Sequence, residues 1–243
     1  MTEVLEHFKR VSGSNFCAGG IRMSGGSRGL DVIDPATEAV IGSVAETPPD
    51  EIDACVETCN AAQKSWWRDL SAVERAHAIH EVADAITRMR PLLAEALTRE
   101  MGKPYKESLD EVDWCVHSLR YSAEVGRSEM GRVMGPAVAG QMHYTIKQPL
   151  GTIALIMPFN YPMVLLAWEA GAALAGGNAC IVKPSEYTTL TTLLFAEAFS
   201  HLPDGLFQVV TGGGEVGRRL VEHPGTHGVA FTGSVPVGRP GSA

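Results

Sequence analysis

The sequence is short of positive charge, and its basic residues form no cluster. It has 20 Lys and Arg against 28 Asp and Glu over 243 residues, which gives a net charge of -8 at pH 7. Proteins that bind nucleic acid need a positive face for the phosphates, so the composition predicts no nucleic-acid partner. With 45% hydrophobic and 20% charged residues, the chain otherwise has the composition of an ordinary soluble globular protein.

The sequence also lacks a Cys-x-x-Cys pair, and its cysteines are odd in number and scattered. A secreted disulfide framework and a zinc ribbon are therefore disfavoured. Cys55 and Cys59 would share one helical face, where small core residues are a better interpretation than a metal pair. The segment from Met1 to Val11 has no apolar run and does not resemble a signal peptide. Reduced thiols without such a signal predict a cytoplasmic protein. The five cysteines are Cys17, Cys55, Cys59, Cys115 and Cys180.

One uncharged run, from Gln148 to Trp168, is long enough to cross a membrane. It contains Pro149, Pro158 and Pro162, and three prolines are incompatible with one continuous apolar helix. A buried strand followed by a buried helix explains the same run better, so no membrane partner is expected.

The N-terminal part of the chain is predicted to be mainly helical after a short extended start. Ser71 and Glu74 form a capping box at the beginning of a helix-spaced apolar pattern. A second helix is expected from Pro91 to a stop at Gly102. Residues 142–148 alternate in polarity, which predicts a strand with one wet face.

From Gly151 onward the sequence has the pattern of βαβ units. Apolar runs typical of strands buried on both faces alternate with segments typical of helices, which indicates a parallel sheet with helices on both faces. In such sheets ligands bind beyond the carboxyl ends of the strands. The predicted strands are Thr152–Met157, Asn178–Val182, Leu206–Val210 and Gly228–Phe231. The predicted helices are Pro162–Leu174, Thr188–His201 and Glu215–Glu222.

Polar residues follow the first two of these strands. Asn160 stands between Pro158 and Pro162, so a rigid turn could aim its amide at an oxygen that becomes negative during a reaction. An N-cap of the following helix is an alternative role for this residue. Lys183 and Glu186 could bracket the hydroxyls of a ribose, or could form a surface ion pair.

The last two strands end in glycine-containing turns. Residues 212–217 satisfy G-x-G-x-x-G between a strand and a helix, but no acid ends the next strand as the dinucleotide fingerprint requires. A plain turn and a phosphate contact therefore both remain open. Residues 231–234, Phe-Thr-Gly-Ser, offer backbone N–H groups and a helix start with Ser234 as N-cap, which suit a pyrophosphate. The Tyr-x-x-x-Lys and Gly-x-x-x-x-Gly-Lys patterns of other nucleotide-binding enzymes are absent.

Taken in order, these four segments resemble the aldehyde dehydrogenase superfamily, and the likeness extends from about Asp31 to Arg239. Met101-Gly102-Lys103-Pro104 is similar to a further family motif. The resemblance implies a Rossmann-like NAD-binding domain over residues 1–239, with nucleotide-binding units at 151–239 and an oligomerisation strand at 141–149. The catalytic cysteine domain would be absent.

The resemblance also implies roles for individual residues. Asn160 would be the side-chain half of the oxyanion hole, and Tyr161 and Trp168 would line the substrate tunnel. Lys183 and Glu186 would bind the adenosine ribose, and Ser234 the pyrophosphate. The residues expected at the cofactor are Met157, Pro158, Phe159, Lys183, Ser185, Glu186, Gly213, Gly217, Phe231, Thr232, Gly233 and Ser234.

The activity implied is NAD(P)-dependent oxidation of an aldehyde to a carboxylic acid by a homo-oligomeric enzyme. The cofactor expected is NAD, with NADP possible, because the carboxylate of Glu186 would repel the extra phosphate of NADP. The nucleophilic cysteine and the glutamate that activates water belong to later family motifs, so we expect a truncated chain that is inactive by itself. The alternative is a nucleotide-binding or partner-binding fragment that associates with full-length subunits.

Two features depart from the family pattern. Glu169 follows Trp168 where the family often has a basic residue. The tail from Arg239 to Ala243 leaves the pattern abruptly.

Overall fold

A computed structural model describes residues 3–128 and 131–238 of the chain. In the N-terminal part, strands run β1 (Ser14–Cys17), β2 (Gly20–Met23), β3 (Arg28–Ile33), β4 (Val40–Ala45), β5 (Val133–Met134) and β6 (His143–Tyr144). In the C-terminal part they run β7 (Thr152–Ile156), β8 (Ala179–Lys183), β9 (Phe207–Val209) and β10 (Gly228–Phe231).

The helices before β7 are α1 (Glu3–Val11), α2 (Pro49–Arg68), α3 (Ala72–Arg88), α4 (Arg90–Met101) and α5 (Tyr105–Ser128). Those after it are α6 (Pro162–Ala175), α7 (Thr189–Ala196), α8 (Gly214–Glu222) and α9 (Val235–Gly238). Short 3₁₀ turns at Glu186–Thr188 and Glu197–Phe199 flank α7.

A six-stranded sheet in the order β10-β7-β8-β9-β1-β2 organises the molecule. β7 to β10 are parallel, whereas β1 and β2 extend the sheet as an antiparallel hairpin through the pairing of Phe16 with Val209. The chain moves from β7 to β8 to β9 in one direction and then returns across the sheet to β10. Because such crossovers are right-handed, α6 and α7 lie on one face and α8 on the other. The parallel α/β sheet expected from the sequence is confirmed.

The apolar strands are buried because helices cover both faces. Every residue of β8 is buried, as are the first four of β7. α6 packs on β7 and β8, and α5 packs outside α6. α2 covers β7, β8 and β9 beside α8 on the opposite face. An aromatic stack between Phe199 and Phe207, with ring centroids 3.9 Å apart, fills the core between α7 and the sheet.

The predicted elements after Gly151 are present. All four strands lie within one residue of their predicted ends, and α6 and α8 match their predicted helices within one residue at each end. The helix expected from Thr188 to His201 is interrupted, with α7 bounded by the two 3₁₀ turns. The segment from Arg239 to Ala243, where the sequence leaves the family pattern, lies outside the described residues.

The N-terminal helices begin and end as their caps predict. Ser71 Oγ accepts from the Glu74 N–H while the Glu74 carboxylate accepts from the Ser71 N–H, so the capping box is formed. Gly102 ends α4 at φ 78°, a left-handed conformation that glycine adopts without strain. α2 to α5 account for the predicted helical region.

The extended start is longer than expected. α1 opens the described chain, and four strands occupy residues 14–45 before α2 begins. β1 and β2 pair with each other as a local hairpin, and the hairpin joins the main sheet through the pairing of β1 with β9, which lies far along the sequence and which no local pattern reveals.

The alternating segment 142–148 forms less structure than predicted. Only His143–Tyr144 is a strand, paired with Val133–Met134. Met142, Tyr144 and Ile146 are 78%, 59% and 62% exposed, so the alternation does not produce one buried face. The physical reason is that these residues pair in a separate two-stranded sheet and add no strand to the main sheet.

Among residues 3–128 and 131–238, no helix has both the length and the apolar content that crossing a bilayer requires. Over the same residues, no group of three or more His, Cys, Asp or Glu side chains is arranged to hold a metal ion. All five cysteines are free thiols.

Buried glutamates from the N-terminal region cap the helices that follow the strands. Glu100 on α4 accepts hydrogen bonds from the backbone N–H groups of Leu190 (2.7 Å) and Thr191 (2.6 Å) at the start of α7. Glu111 on α5 accepts from the N–H groups of Met163 (3.0 Å) and Val164 (3.3 Å) at the start of α6. These carboxylates attach the helical region to the sheet.

Glu100 is expected to make the stability of the fold depend on pH. Burial raises the pKa of its carboxyl to about 7, whereas an unfolded glutamate titrates near 4.3. A raised folded pKa stabilises the fold fully below the unfolded value, and this contribution is lost as the pH rises through the folded value. Between pH 5 and pH 8 the wild type should therefore lose about 2–3 kcal/mol of unfolding free energy relative to Glu100→Gln.

The measurement is urea unfolding of both proteins across this pH range. Glu95→Gln, on the same helix but partly exposed, is the matched control and should follow the wild type. Parallel pH profiles for wild type and Glu100→Gln would contradict the expectation.

Candidate functional site

The candidate site lies where β7 and β10 meet, because the chain continues from β7 to β8 on one side and crosses back from β9 to β10 on the other. Ile156 is in register with Phe231 on one side and with Lys183 on the other. Past the strand ends, the Thr232 N–H donates to Ile156 O (3.2 Å) and the Met157 N–H donates to Lys183 O (3.0 Å). Three carboxyl ends are thus held side by side at a topological switch point, the usual ligand position in this kind of sheet.

A cleft of about 360 Å³ opens at this point. Its lining includes Ile156, Lys183 and Phe231 from the three strands and Gly214 and Gly217 from α8. Lys183, Gly217 and Phe231, which the sequence placed at a cofactor, are therefore brought into one cavity. Gly217 lies against the lysine, since a Cβ there would be in ordinary van der Waals contact with Lys183 Cδ, at 3.7 Å.

Lys183 and Glu186 form a pair in which the lysine is buried. Nζ lies 3.4 Å from Oε2, and the side chains are 8% and 30% exposed. Burial lowers the pKa of Lys183, and the charge of Glu186 partly offsets this effect. The arrangement differs from an ordinary surface ion pair, because the lysine side chain is buried and lines the cleft, whereas the carboxylate of Glu186 is partly exposed. Ser185 is used locally, since its Oγ accepts from the Tyr187 N–H.

The glycine-rich turn before α8 is already hydrogen-bonded within the protein. The Gly213 N–H donates to Glu46 Oε1 at 2.8 Å. Gly212 has a φ of 141°, and a Cβ there would lie 2.5 Å from Val216 Cγ2, so only glycine fits the turn. Glu46 thus accepts the hydrogen bond that a phosphate would otherwise accept from the Gly213 N–H. The sequence could not reveal this partner, because it lies 167 residues away.

Asn160 lies on the exposed surface of the loop after β7. The N-cap of α6 is Tyr161, in a left-handed conformation (φ 49°, ψ 47°), and Pro162 occupies the first turn. The alternative role of Asn160 as the N-cap is therefore wrong, and its amide is not used to begin the helix. Phe159 is also exposed and packs edge-on against Tyr187, with centroids 6.3 Å apart.

A buried ion pair supports this loop from below. Lys103 Nζ lies 2.6 Å from Glu111 Oε2, with both side chains buried, and 3.6 Å from the centroid of the Tyr161 ring. The other oxygen of Glu111 caps α6 through Met163 and Val164. Lys103 belongs to the Met-Gly-Lys-Pro motif noted in the sequence, but its contact with Glu111 and Tyr161 is visible only in the structure.

The predicted tunnel residues lie on an aromatic surface between α5 and α6. Tyr161 stacks on Trp114 with ring centroids 6.2 Å apart. Trp168 and Trp114 line a shallow groove of about 560 Å³ together with Tyr121. Trp114 and Tyr121 were not predicted from the sequence to belong to this surface, because their exposure on α5 is visible only in the structure.

The loop after β10 has a carboxylate beneath it. Thr232 Oγ1 donates to Glu169 Oε1 at 2.9 Å, and burial raises the pKa of Glu169. Glu169 Oε2 is buried and has no hydrogen-bond partner among the described residues. The residue that departs from the family pattern thus holds the Phe-Thr-Gly-Ser loop.

The rest of this loop turns into α9. A Cβ at Gly233 would lie 2.6 Å from Phe231 Cζ, so glycine lets the loop pass over the ring. Ser234 is exposed, and its carbonyl accepts from the Val237 and Gly238 N–H groups, both at 3.1 Å. α9 begins at Val235, as a helix capped at Ser234 predicts.

Gly25, Ser27 and Gly29 satisfy the Gly-x-Ser-x-Gly spacing of a serine nucleophile. The segment joins β2 to β3, two strands of different sheets. A nucleophile elbow requires a strand-to-helix turn, so this match is not a hydrolase site.

Comparison with known proteins agrees with this geometry. The sequence model of the Aldehyde dehydrogenase family matches residues 21–240. The NADP-dependent glyceraldehyde-3-phosphate dehydrogenase of Streptococcus equinus is 36% identical over 217 residues, covering 86% of this chain and 45% of the relative. The 2-hydroxymuconic semialdehyde dehydrogenase of Pseudomonas sp. (strain CF600) is 34% identical over 232 residues, covering 92% of this chain and 48% of the relative.

A solved structure is similar over the whole chain. The NAD+ complex of an aldehyde dehydrogenase from Bacillus cereus superposes with a TM-score of 0.93 at 33% identity, covering 100% of this chain and 50% of that one. The fold and the strand-end cleft are those of a Rossmann-like domain. The chain belongs to the aldehyde dehydrogenase family, and it spans about half the length of the relatives it matches.

The buried pair beneath the Asn160 loop is expected to dominate local stability. Glu111→Gln would leave Lys103 charged and buried without a counterion, and such a loss typically costs about 3–5 kcal/mol of unfolding free energy. Asp113→Asn on the same helix breaks the more exposed pair with Arg90 and should change stability little. Urea unfolding of the two variants compares them directly. Equal losses would contradict the assignment of Glu111 as the support of α6.

Proposed function

We propose that this chain binds NAD, with NADP as a weaker ligand, across the carboxyl ends of β7, β8 and β10. The observation that carries the proposal is the cleft in which Lys183, Gly217 and Phe231 converge at the switch point. Support comes from the Bacillus cereus relative, which was solved as a complex with NAD+, and from the Streptococcus equinus relative, whose name records dependence on NADP.

The adenosine ribose would lie against Lys183 and Glu186. An ammonium group can donate to one ribose hydroxyl and a carboxylate can accept from the other. The buried lysine and the accessible carboxylate supply these two functions 3.4 Å apart. Ser185 contributes by fixing the turn between them through Tyr187. The carboxylate would also repel the additional phosphate of NADP.

The pyrophosphate would lie at the loop of Thr232, Gly233 and Ser234. The starts of α6, α7 and α8 already receive carboxylates from Glu111, Glu100 and Glu46. Two N–H groups at α6, two at α7 and the Gly213 N–H before α8 donate to these carboxylates, whereas Ser234 is exposed at the start of α9. The exposed hydroxyl and the backbone of this loop suit an anion. Met157 and Pro158 would form the adjoining wall where β7 ends.

The reaction that we propose for the complete enzyme is oxidation of an aldehyde to a carboxylic acid. A bound nicotinamide would supply the acceptor for the hydride. Asn160 would donate its amide N–H to the aldehyde oxygen as that oxygen gains negative charge, and one such donor typically contributes a factor of ~10²–10³ in rate. Tyr161 and Trp168 would form the apolar wall along which the substrate approaches.

We propose that this chain does not by itself supply the sulfur nucleophile. Burial raises the pKa values of Cys59, Cys115 and Cys180, which opposes formation of a reactive thiolate. Cys17 is on β1 and Cys55 on α2. β1 is three strand positions from β7, or roughly 14 Å at the usual strand spacing. The chain alone is therefore expected to bind the cofactor without oxidising aldehydes.

The β5–β6 hairpin is proposed as an oligomerisation surface. Val133 is 80% exposed and Met142 78% exposed, and Val138 and Ile146 are exposed as well. A contiguous apolar projection of this kind is typical of a protein–protein contact. A second copy of the chain is the partner that we propose.

The cofactor proposal is tested by calorimetric titration of the chain with NAD and NADP. Glu186→Gln should weaken NAD binding roughly 10-fold, because a hydrogen bond to a charged group contributes about 1–1.5 kcal/mol more than one to a neutral group. The same variant should narrow the preference for NAD over NADP, since the repulsive charge is removed.

Glu6→Gln is the control, because Glu6 and Lys9 form an i,i+3 pair at the same 3.4 Å distance but on the exposed face of α1. It should bind NAD as the wild type does. Unchanged dissociation constants for both cofactors in Glu186→Gln would exclude the ribose role.

A further inference from the structure

Two thiols meet at the side of the sheet away from the candidate cleft. Cys17 Sγ, at the end of β1, lies 3.0 Å from Cys55 Sγ on α2. Cys55 is 6% exposed, and Cys17 is partly exposed. Neither residue has a role in the proposed dehydrogenase function.

The backbone segments that carry the two thiols are tied to one buried side chain. Gln208 Nε2 donates to the Cys55 carbonyl at 2.6 Å, and Gln208 Oε1 accepts from the Ala18 N–H at 3.4 Å. Gln208 lies on β9, in the interior of the sheet. The two sulfurs are therefore neighbours because rigid elements hold them together, and a bond between them requires little movement of the backbone.

The pair is chemically asymmetric. The hydrogen-bonded contact with Cys17 lowers the pKa of Cys55, while the same contact raises the pKa of Cys17. Cys55 is thus the thiol that ionises first. The third nearby thiol is that of Cys59, whose sulfur accepts a hydrogen bond from Gln208 Nε2 at 3.2 Å. Burial raises the pKa of Cys59 to about 12. Cys17 is therefore the partner available to Cys55.

A small molecule can reach the pair. A cleft of about 380 Å³ is lined by both cysteines together with Arg22, Glu51 and Gln208. The Arg22 Nε donates to the Cys17 carbonyl at 3.1 Å, which places a guanidinium at the edge of the cleft. This cleft is large enough to admit hydrogen peroxide.

We propose that Cys17 and Cys55 are a peroxide-sensitive dithiol that closes to an intramolecular disulfide. The Cys55 thiolate attacks one oxygen of hydrogen peroxide, the O–O bond breaks, and the departing hydroxide is protonated to water. The product is a sulfenic acid at Cys55. The Cys17 sulfur then attacks the Cys55 sulfur, the S–OH bond breaks, and the Cys17 proton leaves with that hydroxide as a second water. Two thiols lose two electrons in total, and one peroxide is reduced to two waters.

The bond would tie the β1–β2 hairpin to α2. It would join residues 38 positions apart in the sequence, and a loop of this length predicts a rise in Tm of roughly 10 °C. The rise should disappear when the disulfide is reduced with dithiothreitol.

The test is peroxide treatment of the chain followed by mass spectrometry. Intact mass should fall by the two hydrogens of one disulfide, free thiols should fall from five by two, and a non-reducing digest should contain a peptide pair joined through Cys17 and Cys55. Cys115→Ser, which removes a buried thiol far along the sequence, is the matched control and should cross-link as the wild type does.

Cys17→Ser separates oxidation of Cys55 by peroxide from formation of the disulfide. The first step is then measured through the sulfenic acid itself. After peroxide this variant should accumulate a sulfenic acid at Cys55 that dimedone labels, with no cross-link and no rise in Tm. The proposal is overturned if the wild type forms no Cys17–Cys55 peptide, if the cross-link uses Cys59 instead, or if dimedone labels Cys17 in Cys55→Ser as strongly as it labels Cys55 in Cys17→Ser.

Discussion

The carboxylates of Glu46, Glu100 and Glu111 connect the two parts of this molecule. Each extends from the N-terminal region to the start of a helix that follows a parallel strand, at α8, α7 and α6 respectively. A helix start presents several backbone N–H groups without intrahelical partners, and a buried start needs an acceptor. The acceptors come from residues 46–111, so the crossover helices depend on the N-terminal region for their position. This dependence explains why the helical layer and the sheet form one packed structure.

The same interaction limits where an anionic ligand can bind. Three of the four helix starts at the carboxyl edge are already occupied by protein carboxylates, which would repel a phosphate. The loop of Thr232 to Ser234 remains, and Glu169 holds it from beneath through the Thr232 hydroxyl. The structure therefore separates structural glutamates, which are buried (Glu100 and Glu111) or partly buried (Glu46) and accept from backbone N–H groups, from Glu186, whose carboxylate is accessible beside the cleft.

The ion pair between Lys103 and Glu111 links one of these helix starts to the exposed loop that precedes it. Glu111 uses one oxygen for the start of α6 and the other for Lys103, whose ammonium group lies under the Tyr161 ring. The exposed loop containing Asn160 is thus supported by a buried charge pair rather than by its own residues. The oxyanion role proposed for Asn160 would benefit from such support, because a fixed donor does not need to reorganise.

The sequence by itself determined the parallel β-strands, the helices between them and the order of the residues at their ends. These follow from local rules: apolar runs buried on both faces, helical spacing, a capping box at Ser71 and a left-handed glycine at Gly102. The strand-end residues could be found because the carboxyl ends of parallel strands meet at one edge.

Only the tertiary structure decided which partners those residues take. The Gly213 amide looked free in the sequence but donates to Glu46, and Lys183 is buried beside the cleft rather than solvated in a surface pair. The β1–β2 hairpin joined the main sheet through the pairing of β1 with β9, while the alternating 142–148 segment gained no buried face. In each case the deciding contact joins residues far apart in the chain, and side-chain pattern cannot encode a contact whose energy depends on a distant group.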